Sequence, residues 1–270
     1  SRRRHTRLLT VTGVQTCALP IFGREFARYV RALPNANPDL SMATMTTPAT
    51  EQAHDTFPIN GTDYVEFWVG NAKQTSLYYR AAFGFELAGY RGPETGTRDR
   101  ASYLLVQDKL RFVFTTALGP ESPISEHVKL HGDGVRDIAF WVDDARDAFR
   151  KALERGATAV QEPTVMKDAD GEVVLAAIKT YGDTIHSLVE RKNYRGVFMP
   201  GFRAATSPYG PEGTGLKYVD HCVGNVELGH MNEWVGYYSK VLGFYNLLSD
   251  RKSTRLNSSH SQQSRMPSSA

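Results

Sequence analysis

One pattern occurs three times in this chain and constrains its fold more than any other feature. Phe67-Trp68-Val69-Gly70-Asn71 precedes Tyr78, Ala81, Ala82 and Phe85. Phe140-Trp141-Val142-Asp143-Asp144 precedes Ala145, Ala148, Phe149, Ala152 and Leu153. His221-Cys222-Val223-Gly224-Asn225 precedes Trp234, Tyr237, Tyr238, Val241 and Leu242. Each reads as a short apolar strand, a polar helix-start residue (Asn71, Asp144, Asn225) and a helix with apolar positions three and four apart. Each helix ends near a glycine suited to a left-handed turn: Gly84, Gly156 and Gly243.

The segments that follow complete the unit. Tyr103–Gln107 and Leu110–Phe114 flank Asp108-Lys109 and read as a hairpin; Val173–Ile178 and Thr184–Val189 follow the second helix. The unit is therefore strand, helix, then two or three strands, an α+β architecture. Two such units closing on one another predict a single domain over residues 57–191. Residues 192–215 carry Pro200, Pro208, Pro211 and the glycines Gly196, Gly201, Gly210 and Gly213 among others, and predict a linker. The third unit opens a second domain over 216–249 and stops before its hairpin. Its stripe from Trp234 to Leu242 is expected to dock on the first domain or to drive aggregation.

The ends differ from the body. Residues 1–21 hold four arginines and no acid, and residues 251–270 three arginines, one lysine and no acid. Arg2–Arg7 with Val11–Ile21, and Arg251–His260, resemble translated sequencing-adapter strings. Non-native tails are therefore expected over 1–21 and 250–270, with a disordered leader over 22–56 in which Met42 and Met45 are candidate natural starts. The stretch to Pro20 is broken by Thr12, Gly13, Gln15 and Thr16, too short and too polar for a signal core or membrane span. Removing the eight terminal charges turns the formal +3 into −5 for residues 22–250. A mildly acidic body argues against nucleic acid as a partner. With Cys17 in a tail, Cys222 has no intrachain partner, so no disulfide and a cytoplasmic setting are expected.

The repeat resembles the vicinal-oxygen-chelate superfamily of paired βαβββ modules and, within it, the 4-hydroxyphenylpyruvate dioxygenase family. The resemblance is carried by Val69–Gln74, Tyr78-Tyr79 before Phe83-Gly84-Phe85, Tyr90–Glu94, His131–Val135, Val174–Ile178 and Val219–Phe244. Its most specific part is Asp220-His221-Cys222-Val223-Gly224-Asn225 followed by Asn232-Glu233-Trp234-Val235. The resemblance implies a ferrous enzyme, homo-oligomeric when intact, that takes a small 2-oxo acid and O2 and forms homogentisate and CO2 in tyrosine breakdown. It implies Fe(II) held by two histidines and a glutamate, a set that leaves positions open for substrate and O2. His221 stands at the first ligand position; the other two ligands lie past residue 250 in that family, so this chain is expected to be inactive alone.

Two details refine that expectation. Val223, two residues along the predicted strand, shares a side with His221 and is a candidate wall of the substrate pocket. A lone histidine on an apolar strand is ordinarily a satisfied core or surface residue, but its sister positions are Phe67 and Phe140, where an aromatic core ring is the default. By the same resemblance the first domain lacks a metal set, because Phe67, Phe140 and Ser187 occupy the matching places. His127 and His131 are spaced as a helical metal pair, yet Gly132 and Gly134 argue against a helix there. His186 is expected on a strand, open to solvent. Two alternatives stay open: a hydroxymandelate synthase, and a metal-free binding module of the same superfamily.

Overall fold

The computed structural model describes residues 57–210 and 212–245; the expectations for residues 1–56 and 246–270 lie outside the described residues. The first unit comprises β1 (Gly61–Trp68), α1 (Ala72–Phe83), β2 (Glu86–Arg91), β3 (Arg100–Gln107) and β4 (Leu110–Ala117). A helix α2 (Pro123–His131) connects it to the second unit: β5 (Gly134–Trp141), α3 (Ala145–Glu154), β6 (Ala159–Asp168), β7 (Gly171–Lys179) and β8 (Ile185–Glu190). Then come a two-residue β9 (Arg203–Ala204) and α4 (Met231–Leu242). Both units are βαβββ modules, as the repeat predicts.

The strands form one mixed sheet in the order β6-β7-β8-β5-β1-β4-β3-β2-β9. The halves mirror each other: β1 pairs parallel with β4, β5 parallel with β8, and the modules join where β1 and β5 run antiparallel, Val65 opposite Ile138. Helices α1 and α3 start where the sequence places them. Asn71 caps α1 by accepting from the Gln74 amide at 3.0 Å, and Asp144 caps α3 by accepting from the Arg146 and Asp147 amides. Gly84 ends α1 in the left-handed region at φ 71°, and a Cβ there would lie 2.5 Å from the Glu212 carbonyl oxygen. Only glycine serves that turn.

The sheet has two differently filled faces. On one, α1 covers Val65, Phe67, Val69, Leu105 and Phe114, while α3 covers Phe140, Val142, Val174, Ile178 and Leu188. On the other, Tyr64, Leu104, Val113, Ala139 and Val189 pack against Phe198, Met199 and Phe202. Residues 192–215 are thus more than a connection. Their first half plugs this face, β9 extends the sheet beside β2, and Tyr209 is pinned through its carbonyl by the Arg80 guanidinium. Prolines and glycines marked the lack of regular structure, while Phe198, Met199 and Phe202 supplied the packing.

Three further expectations change. The run Pro123–His131 is helical, and Gly132 at φ 74° is the residue that stops it. His186 is buried at 2% exposure. The third unit forms its helix but no strand: residues 221–227 pair with none of the described strands, and α4 begins only at Met231, after a turn closed by the His230 amide on the Glu227 carbonyl. A strand needs a ladder partner for its backbone groups, and none of the described strands offers one there.

Candidate metal-ligand segment

His221 lies in a segment without strand pairing, its side chain about half exposed at 48%. Its Nδ1 is 2.8 Å from the Asp220 Oδ2. A carboxylate on one ring nitrogen is the arrangement that orients ligating histidines, with the other nitrogen turned to the metal. The donor set stops there. Among the described residues no three His, Cys, Asp or Glu side chains gather where they could hold a metal ion. The described chain therefore does not fit a complete ferrous site, and no chemical step through iron follows from it. Val223 is 50% exposed, and without a strand the alternation expected to align it with His221 does not operate.

The matching positions in the first two modules point elsewhere. Phe67 lies beneath α1, stacked 5.0 Å from Phe114, and Phe140 lies beneath α3. Ser187 faces the other side of the sheet, where its hydroxyl donates to the Asp137 Oδ2 at 2.6 Å and its amide to the Oδ1 at 3.0 Å. The Tyr64 hydroxyl donates to the same Oδ2 at 2.9 Å. Burial pushes the Asp137 carboxyl up to about 7, with the nearby Glu66 charge adding to the rise and the Ser187 bonds opposing it. Asp137 is a buried acid not among the residues expected at a site. Its signal was an acid between Arg136 and Ile138, at the point where the strand turns apolar as Ile138-Ala139-Phe140.

His186 belongs to the helix side. Its Nδ1 is 2.8 Å from the Ile138 carbonyl oxygen and its Nε2 2.9 Å from the Tyr238 hydroxyl. A carbonyl only accepts, so Nδ1 carries the proton and Nε2 accepts from Tyr238. Burial drives the imidazole down to about 4, so it is neutral near pH 7. His127 and His131 lie one turn apart on α2, but the His131 Nε2 is engaged 2.7 Å from the Asp183 Oδ2.

Comparison with known proteins identifies the family of the two modules. A protein-family model described as hydroxyphenylpyruvate dioxygenase, HPPD, N-terminal, matches residues 54–199. A 4-hydroxyphenylpyruvate dioxygenase from Caenorhabditis elegans is 46% identical over 192 residues, covering 69% of this chain and 49% of that protein. One from Neurospora crassa is 42% identical over 219 residues, covering 73% of this chain and 53% of its own length. The chain spans about half the length of the curated relatives it matches. Among solved structures, a mutant of 4-hydroxymandelate synthase from Streptomyces coelicolor aligns with a TM-score of 0.60 and 28% identity, covering 72% of this chain and 55% of that one. On the match over residues 54–199, this chain belongs to the hydroxyphenylpyruvate dioxygenase family.

Proposed function

We propose that this chain carries the N-terminal domain and the first iron ligand of a cytoplasmic, homo-oligomeric enzyme that converts 4-hydroxyphenylpyruvate and O2 to homogentisate and CO2. The observation that carries the reading is His221, with Asp220 engaging its Nδ1, inside a segment that matches the family signature. In this reading Fe(II) supplies the oxygen chemistry when bound, His221 offers it Nε2, and Val223 lines the substrate pocket. Residues 57–191 act as scaffold and oligomer contact. Residues 216–249 begin the catalytic domain. The dioxygenase reading is preferred to a hydroxymandelate synthase because relatives named for the former are 37–46% identical, against 28% for the synthase structure.

The test is a chimera of residues 57–249 with the remaining C-terminal half of the Caenorhabditis elegans relative. Given Fe(II) and 4-hydroxyphenylpyruvate, it is expected to consume oxygen and release homogentisate, His221→Ala is expected to abolish both, and the 270-residue chain alone is expected to do neither. Full activity in the His221→Ala chimera, or hydroxymandelate as the product, would overturn the reading.

A further inference from the structure

His221 lies in a segment without strand pairing, so something other than a ladder must fix its place. Upstream, the Lys109 amide donates to the Lys217 carbonyl at 2.9 Å, and Val219 packs against the core beneath α1. That end is tied to the first module. Downstream, Gly224 lies against Tyr181, in the turn between β7 and β8 of the second module. A Cβ at Gly224 would come within 2.5 Å of the Tyr181 Cζ and closer still to its hydroxyl oxygen. Any side chain at Gly224 would require the Tyr181 ring to shift.

The surroundings of Tyr181 oppose that shift. Its turn is closed by the Thr184 amide on the Tyr181 carbonyl and the Thr180 amide on the Thr184 carbonyl. Its ring meets Trp234 edge-on at 5.6 Å and lies 6.4 Å from Tyr238. Tyr238 is in turn fixed by hydrogen bonds to His186 and Thr180, both 2.9 Å long. The four residues from 220 to 223 therefore span two posts, one on each module.

We propose that Tyr181 is a positioning residue: through its contact with Gly224, the second module of the N-terminal domain sets where the His221 imidazole stands. The proposal rests on reading His221 as a ligand. It gives the metal-poor modules a part in the chemistry beyond bulk support, since the spacing of the two posts fixes the span that carries His221.

Amide hydrogen exchange on the 270-residue chain, free of metal and substrate, tests the contact. Gly224→Ala is expected to speed exchange across residues 220–226 on the order of tenfold, with β1, β4 and β5 unchanged. Tyr181→Ala is expected to do the same, and Tyr181→Phe, which keeps the ring, to exchange like the parent. In the double variant Gly224→Ala/Tyr181→Ala the new methyl meets a vacated space, so its exchange should match that of Tyr181→Ala alone. A Tyr181 that merely stabilises its own module would loosen β7 and β8 equally, and the two substitutions would add. Additivity, or no change at 220–226 in Gly224→Ala, would overturn the proposal. These outcomes do not depend on whether His221 binds iron, which the chimera decides.

Discussion

The two modules follow one path in space and close their helix-side cores in different ways. The first is filled with rings: Phe67, Tyr79, Phe85, Phe112 and Phe114 meet at centroid distances from 4.7 to 6.4 Å beneath α1. The second is lined with small side chains. Its helix α3 buries Ala145, Ala148 and Ala152 beside a single large residue, Phe149. The space left over is taken by α4, which adds Val241 and Leu242 to the same core, with Tyr238 and Phe244 packed at its edge. Two copies of one topology thus differ in self-sufficiency. The alanine-lined copy is completed by a helix that the repeat assigns to the next unit, so the second module and the third unit share a core.

The largest expected effects separate these two closures. Phe114 is fully buried among rings of its own module, so Phe114→Ala should lower global stability by about 3–5 kcal/mol through lost burial and an unfilled cavity. Leu242→Ala removes a similarly buried side chain, but from the borrowed helix. It should release α4 first, seen as faster amide exchange over Met231–Leu242 while β1 and β4 keep their protection. Equal loss of protection in both modules from Leu242→Ala would break the comparison.

The next test uses two buried titratable groups on neighbouring strands, one on each sheet face. The folded His186 is held at about 4 against an ordinary 6.5, so the unfolded chain takes up that proton first as pH falls. Its contribution, about 3 kcal/mol, is fully present above pH ~6.5 and is lost on going down to pH ~4. Asp137 works in the opposite sense. Its folded carboxyl sits at about 7 against 3.8, so the folded chain keeps a proton that the unfolded chain has released. That contribution, about 4 kcal/mol, is present below pH ~4 and is lost as pH rises through 7. An asparagine can accept from the Ser187 amide and donate to the Ser187 and Tyr64 hydroxyls. Asp137→Asn should therefore gain on the parent by about 4 kcal/mol in urea midpoints between pH 4 and 8. A constant difference across that range would show that folding does not raise the Asp137 carboxyl above its ordinary range.

The features legible in the sequence were those set by local pattern. Three helices followed from apolar spacing and from Asn71, Asp144, Gly84 and Gly243. The β3–β4 hairpin and the strands β7 and β8 followed from apolar runs rich in β-formers. What escaped depended on partners distant in sequence. Strand β6 is an edge strand, exposed along most of its length and carrying Pro163, so it shows no apolar alternation. Helix α2 was discounted because Gly132 was read as a breaker within it, whereas it is the cap that ends it. His186 appeared polar and hence exposed; its burial is decided by Tyr238, 52 residues away. Likewise the resemblance around His221 is local in sequence, while the proposed position of the imidazole depends on Val219 and Gly224 meeting two different modules.

The smallest expected effect refines the comparison at a single atom. Tyr238→Phe keeps the ring stacked on Phe244 at 5.7 Å and removes only the hydroxyl. His186 Nε2 then loses its donor in a site that water does not reach, and Thr180 loses a partner. An orphaned buried acceptor costs about 1–3 kcal/mol, less than the loss of either core side chain. The expected result is a modest drop in the urea midpoint together with faster exchange confined to α4 and the β7–β8 turn. The sharper reading comes from the paired change. If the hydroxyl serves the imidazole, His186→Phe with Tyr238→Phe removes both polar groups, and most of the lost stability should return. If the double variant is as unstable as the sum of its parts, the bond between them adds nothing, and α4 completes the second module by apolar packing alone.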